Sequence, residues 1–395
     1  MSWIQTAVIY HIFIDRFAGY NVSKDWHKPE HMGGNIRGII DKFDYIRSLG
    51  VNTIWISPFY QSLSFHGYDI TDYLSIDEHF GTEDDLRELI DLAHQKDMKI
   101  IADFVPNHVS YKHPFFLDAQ RNPDSRYRDW FIFEKWPDKY MPFVVYPTMV
   151  KLNLENPDAF AHLLEAGRKW LGFGLDGFRI DHVMGLKNHT VSELFGQLKK
   201  EFPGRAFIGE AAIFGGDGEP ASSTINIRGV KTLGIPHKYL VWFLRQFGLN
   251  ILYRNYVGRL DGMLDFYFVH HMVKFAHATS EQERQRIAQK LKRHVDSYPE
   301  DFSMVLFLDN HDLTRYLFRC GGDTAKLLAA AELQFSLKGP KAIYYGTEVG
   351  LSQDAAFSDA PGHDIQARKP MPWNEAEQDH ALLAKYKEIL THSVR

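Results

Sequence analysis

TEDDLRELIDLAHQKDMKIIADF, residues 82–104, holds one full step of the pattern on which the chain is built. Residues 82–96 have helical spacing, and Thr82 followed three positions later by Asp85 is the signature of an N-terminal cap. Residues 99–104 form a short apolar run that reads as a buried strand. The same alternation recurs along the chain. Strand-like runs stand at residues 7–13, 53–56, 99–104, 177–180, 206–209, 263–266, 303–308 and 341–345, with helix-like segments between them. Alternating strands and helices make a parallel sheet wrapped by helices, and eight such steps predict a closed barrel: an α/β fold of the (β/α)8, or TIM-barrel, type.

The rhythm breaks once. Residues 107–153 are rich in Pro, Asp, Arg and aromatics without clean periodicity, and read as a small inserted subdomain after the third strand. The expected division is therefore residues 1–106 and 154–395 for the two parts of the barrel, with 107–153 between them. After the eighth run come a loop at 352–373 and an amphipathic segment at 375–392, which leaves no room for a C-terminal β-sandwich.

Composition narrows the class. With 45% hydrophobic and 24% charged residues the 395-residue chain is an ordinary folded protein. A net charge of −5 and the lack of any Lys/Arg block argue against nucleic acid as a partner. Aromatics reach 14%, and flat apolar rings stack on sugars as well as fill cores, with core filling accounting for most of them. The single cysteine, Cys320, excludes an internal disulfide and fits a reducing compartment. Residues 1–6 carry no leader-like pattern, and no stretch approaches the run of about 18 apolar residues that a membrane span needs, so a cytoplasmic protein with no membrane partner is expected.

Catalytic groups of such barrels sit at the C-terminal ends of the strands. Four ends carry them here: Asp103 to His108, Arg179 to His182, Gly209-Glu210, and Asp309 to Asp312. Cleaving a glycosidic bond with retention needs a carboxylate nucleophile and a protonated carboxyl about 5 Å away. Neighbouring strands lie about 4.8 Å apart, so Asp181 and Glu210 meet that requirement at adjacent strand tips. Arg179, two residues before Asp181, shares its face of the strand and would hold it ionised. Glu210 must instead keep a proton, which the charges of Asp181 and Asp312 would favour. Any one of these acids alone reads equally well as a solvated loop residue or a structural ion pair; the set does not. Of the 20 histidines only His108 and His311 follow barrel strands in a way that favours hydrogen bonds to sugar hydroxyls. Neither a His-Glu-x-x-His zinc motif nor a phosphate-binding loop occurs.

At these residues the sequence resembles glycoside hydrolase family 13, the α-amylase family, over nearly its whole length. DFVPNH (103–108), GFRIDHV (177–183), IGE (208–210) and FLDNHD (307–312) look like its four main signatures in order and spacing. GVNTIWISPFY (50–60), HGYDITDY (66–73), GPKAIYYGTEVGL (339–351) and ARKPMPW (367–373) are further similarities. KLNLENP (151–157) is another, and its opening KLN together with RDWF (128–131) leans towards the neopullulanase, cyclomaltodextrinase and maltogenic amylase branch. The resemblance implies Asp181 as nucleophile, Glu210 as acid/base and Asp312 as the acid that holds the distorted sugar. It further implies Tyr68, His66, His108, Arg179 and His311 around the reacting glucose, Tyr68 stacking on the ring, with Asp103 supporting them.

The implied activity is retaining hydrolysis of α-1,4 links in maltooligosaccharides, cyclodextrins or related glucans, with transfer to a sugar acceptor as a second outcome. A sucrose- or trehalose-type isomerase or transglycosidase would keep the same centre, and a non-catalytic amylase-like binding protein would have lost some of the acids. Ala211-Ala212-Ile213 does not decide between water and sugar as acceptor. Where exo-acting relatives carry an acid three residues before the tyrosine, this chain has Phe65, so cleavage away from chain ends is expected, unless the loop with Asp359, Asp364 and Arg368 closes the pocket. The branch's usual N-terminal β-sandwich has no counterpart here, so dimerisation through it is not implied. No cofactor is required. Calcium is left open: the branch's site near the first strand falls on Asn21, Ser23, Asp25, Gly33 and Asn35, with one carboxylate, and Asn107 matches a calcium ligand of other members.

Overall fold

The computed structural model describes residues 2–144, 146–212, 249–357 and 362–393. Strands β1 (Val8–Ile12), β2 (Thr53–Ile56), β3 (Lys99–Phe104), β4 (Gly177–Ile180), β5 (Ala206–Gly209), β6 (Gly262–Leu264), β7 (Ser303–Phe307) and β8 (Lys341–Tyr344) close into a barrel, each strand beside its predecessor in the chain. Neighbours from β2 to β5 and from β6 to β8 pair in parallel. This is the (β/α)8 architecture that the alternation predicts. The sixth run needs correction: β6 spans Gly262–Leu264 rather than 263–266, because Asp265 accepts a hydrogen bond from Phe268 N at 2.9 Å and caps the helix Phe266–His277.

The chain divides into two compact units, residues 10–210 and residues 1–9 with 211–395. In the first, the helix Glu83–Gln95 starts at the expected capping box: Thr82 Oγ1 accepts from Asp85 N at 3.1 Å, and Asp85 Oδ2 accepts from Thr82 N at 2.9 Å. Its buried residues Leu86, Leu89, Ile90 and Ala93 form the apolar stripe that helical spacing demands. The helix Pro157–Phe173 begins under Asn156, which caps the N–H groups of Asp158 and Ala159. Gly177 opens β4 where any side chain would collide, since a Cβ there would lie 1.9 Å from Ala206 O.

Between β3 and β4 the chain builds a small antiparallel sheet from His108–Ser110, Tyr146–Lys151 and Pro142–Phe143, a two-stranded ribbon, and the helix Pro114–Arg121. Most of these strands, at two or three residues, are too short to print a periodicity. Aromatic packing supplies the core of this insert: Phe115 stacks on Tyr127 at 4.1 Å, and Trp130 meets Tyr127 edge-on at 5.0 Å. The other unit carries the helices Glu281–Asp296, Thr324–Ser336 and His380–Ser393, the last overlapping the amphipathic segment expected at 375–392 and ending one residue beyond it. Among the described residues no helix is long and apolar enough to cross a membrane.

Candidate active site

In the unit of residues 10–210 the strand register sets the first two acids side by side. Ile180 pairs with Gly209, Glu210 N donates to Ile180 O at 2.9 Å, and Asp181 and Glu210 follow on adjacent strand tips. Arg179, fully buried on β4, binds both. Its Nη1 donates to Asp181 Oδ1 at 3.0 Å and to Asp103 Oδ2 at 3.1 Å. Its Nη2 lies 2.5 Å from Glu210 Oε1, an ion pair that works against the expected protonation of Glu210 by its acidic neighbours, so the proton donor must gain its proton as this contact loosens around substrate. Burial works against the guanidinium charge, but Asp103, Glu210 and Asp181 outweigh it and hold Arg179 well above the ordinary arginine value. Sequence spacing anticipates the contact with Asp181, not those with Asp103 and Glu210.

Asp103 gathers the site from behind. Besides Arg179 it accepts from Tyr68 OH and from Trp55 Nε1, the latter at 2.6 Å, while its carbonyl accepts from Tyr60 OH at 2.9 Å. Trp55, on β2, escaped the sequence reading, although a buried indole N–H must find an acceptor and the neighbouring strand ends in an acid. The His11 ring stacks on Trp55 at 3.6 Å and 7°. His66 sits in the loop that carries Tyr68: its Nδ1 accepts from Tyr68 N at 3.1 Å and its Nε2 lies 2.8 Å from Ser64 Oγ. His108 is buried under Phe143, rings 4.1 Å apart, and burial pushes it well below the usual imidazole range, so it is neutral. Its Nε2 makes no hydrogen bond among the described residues, which leaves a polar atom for a ligand hydroxyl. His182 adopts the left-handed conformation at φ +42° and ψ +47° and donates its N–H to Glu210 Oε2 at 3.0 Å.

In the other unit, Asp312 follows β7 and is gripped by two buried groups. His311 Nε2 lies 3.0 Å from its Oδ2, and Arg368 Nη2 lies 2.9 Å from its Oδ1. The Asp312 side chain stays 43% exposed while those of His311 and Arg368 are buried, so the carboxylate is held on one side and open on the other. Arg368 also pairs with Asp364 at 2.5 Å. Both loop residues thus brace Asp312; Asp359 and Ile213 lie outside the described residues.

The family model for "Alpha amylase, catalytic domain" matches residues 11–205 and 249–390. The chain belongs to the α-amylase family. Among the family's curated members, Alpha-amylase 2 of Dictyoglomus thermophilum is 34% identical over 98% of this chain and 63% of its own length. Neopullulanase 2 of Thermoactinomyces vulgaris is 33% identical with the same coverage, 98% and 63%. The solved cyclic alpha-maltosyl-(1→6)-maltose hydrolase of Arthrobacter globiformis superposes with a TM-score of 0.80 at 26% identity, over 99% of this chain and 83% of that one. The chain therefore spans 63% of the length of these two curated relatives.

Two family features take a particular form here. Phe65 is buried, 6.0 Å from Phe13 and with the Arg16 guanidinium 4.6 Å above its ring, so it presents no acceptor to a sugar. The residues of the branch's calcium site make a weakly charged donor set. Asn21 Oδ1 accepts from Ser23 N, Asp25 Oδ1 from His27, Asn35 Oδ1 from Gly38 N, and Gly33 O from Asn35 Nδ2. Each of these oxygens already accepts one N–H, and the set holds a single, half-exposed carboxylate, which is little charge for a hard cation. At the second implied place, Asn107 Oδ1 already accepts from the ammonium of Lys151. Among the described residues no cluster of three or more His, Cys, Asp or Glu is arranged for a metal.

Proposed function

We propose that this α-amylase-family chain is a retaining glycoside hydrolase of α-1,4-linked glucans. The observation that carries the reading is the single guanidinium of Arg179 set against Asp181 and Glu210 at adjacent strand tips. Carboxyls on neighbouring strands suit the separation of about 5 Å that retention requires, rather than the wider spacing that admits water for inversion.

In the first step Asp181 attacks the anomeric carbon and forms a glycosyl ester, while Glu210 gives its proton to the departing glycosidic oxygen. In the second, Glu210 takes a proton from water, whose oxygen attacks the same carbon and releases Asp181. A sugar hydroxyl in place of water gives transglycosylation. Asp312, braced by His311 and Arg368, serves as the third carboxylate that holds the distorted ring. Neutral His108 with its unbonded Nε2 donates to or accepts from a sugar hydroxyl, and Tyr68, fixed by Asp103 and by the His66 loop, offers its ring to the reacting glucose.

Buried Phe65 supports action on cyclic or internal links. Relatives named cyclomaltodextrinase, among them one from a Bacillus species at 30% identity, agree with that substrate class. A cytoplasmic location is supported by the buried, unpaired Cys320 and by a Bacillus subtilis relative, 30% identical, named intracellular maltogenic amylase. The deciding experiment is an NMR time course on maltoheptaose: the first product is the α-anomer, and β-anomer appearing first would exclude Asp181 as nucleophile.

A further inference from the structure

Lys151 ends the central strand of the inserted sheet, paired with His108. Its ammonium donates to Asn107 Oδ1 and, at 2.6 Å, to Gly185 O. Both are neutral oxygens, and among the described residues no carboxylate pairs with this lysine. An ammonium buried on neutral acceptors alone is expensive to keep, so the position of those acceptors matters. Asn107 follows β3. Gly185 lies in the turn after Asp181, and it approaches Asn107 so closely that a Cβ would meet Asn107 Oδ1 at 2.2 Å.

That turn controls Glu210. Gly185 N donates to His182 O at 2.9 Å, closing the turn. Its first two N–H groups then reach the glutamate: His182 N binds Glu210 Oε2 at 3.0 Å, and Val183 N binds Glu210 O at 3.0 Å. Whatever anchors Gly185 therefore anchors the carboxyl that must transfer the proton.

We propose that Lys151 is a positioning residue for Glu210, its ammonium acting as an internal cation that clamps Asn107 to the turn after Asp181 and occupies the place a divalent ion would need. The clamp rests on the reading of Glu210 as acid/base, and the test separates the two. Lys151→Met keeps the unbranched stem as far as the ε-carbon and removes charge and donor. On maltooligosaccharides its kcat falls about 100-fold with a much smaller change in KM, as a misplaced proton donor requires. On an aryl glycoside with an activated leaving group the first step falls far less, because it needs no protonation. Equal losses on both substrates overturn the clamp if Glu210→Gln does discriminate between them; if Glu210→Gln does not, the acid/base reading itself fails and takes the clamp with it.

Lys151→Asp supplies a second arm that does not depend on activity. It sets a carboxylate beside two oxygens suited to a hard cation, so millimolar calcium chloride raises the Tm of this variant by about 3 °C or more, while the wild type stays unchanged. The same rise in the wild type, or no rise in the variant, overturns the proposal. Should Lys151→Met fail to fold, this arm decides, and failure of Lys151→Asp to fold even with calcium also counts against the clamp.

Discussion

Replacing the indole of Trp55 with 3-benzothienylalanine removes one N–H and keeps the bicyclic ring, so the fate of Asp103 can be read separately from packing. The bond lost is 2.6 Å long, between a tryptophan and a carboxylate that are both buried. A hydrogen bond to a charged group contributes about 1.5–3 kcal/mol, and no water is at hand to replace a donor at a fully buried oxygen. The isostere should therefore lower the unfolding free energy by about 1.5–3 kcal/mol. Trp55→Phe also removes two ring carbons from the bicycle that stacks on His11, each worth about 0.8 kcal/mol if counted as a buried methylene, so it should lose about 3–5 kcal/mol. Both losses are below the stability of an ordinary domain, about 5–15 kcal/mol, and both proteins should fold. With Asp103 loosened, Arg179 and Tyr68 lose their common anchor, and kcat/KM on maltoheptaose should fall about 10- to 100-fold in either variant. Urea unfolding and initial rates measure the two effects. An isostere within about 0.5 kcal/mol of the wild type and equally active would refute the role given to the N–H.

Asp181→Asn should still fold yet turn over maltoheptaose several orders of magnitude more slowly, because an amide forms no glycosyl ester; near-normal rates would exclude it as nucleophile. End-blocked maltoheptaose should be cleaved at a rate comparable with the free oligosaccharide, since Phe65 grips no terminal hydroxyl, and complete resistance of the blocked substrate would contradict this. Burial holds His113 and His271 each at about 3. Folded values below the unfolded one leave stability intact above the unfolded imidazole value, about 6.5, and drain it as pH falls, because only the unfolded chain takes up the protons. The two should together remove about 2.7 kcal/mol per pH unit between about pH 6 and 4; urea midpoints that do not move from pH 6 to 5 would falsify this.

Features written locally in the chain are the ones the sequence discloses. Thr82 and Asp85 are three residues apart, so their reciprocal cap is visible before any fold is known. Arg179 and Asp181 share a strand face through the two-residue period, and their ion pair follows from it. The reach of Arg179 to Glu210 depends instead on Ile180 facing Gly209, a register that no single stretch encodes. Trp55 and Asp103 are 48 positions apart and meet only once β2 and β3 pair. The inserted sheet was legible as a break in rhythm but not as strands, because two or three residues are less than a full pattern. Burial decides the rest: nothing in the order of residues tells that Phe65 lies beneath Arg16, or that Lys151 takes the oxygen of Asn107.

The left-handed turn at His182 has a consequence for how this site could change by mutation. The amide that binds Glu210 Oε2 belongs to the peptide joining Asp181 to His182, so nucleophile and acid/base hang on one rigid planar unit. That amide points at Glu210 from a backbone at φ +42°, a conformation open to histidine, asparagine, aspartate or glycine but resisted by valine or isoleucine. A one-residue insertion or deletion on either side would not nudge the pair apart; it would turn the amide away and separate the two acids in a single event. Substitutions in the surrounding loops can drift by small steps, whereas the spacing at this peptide has no viable intermediate length.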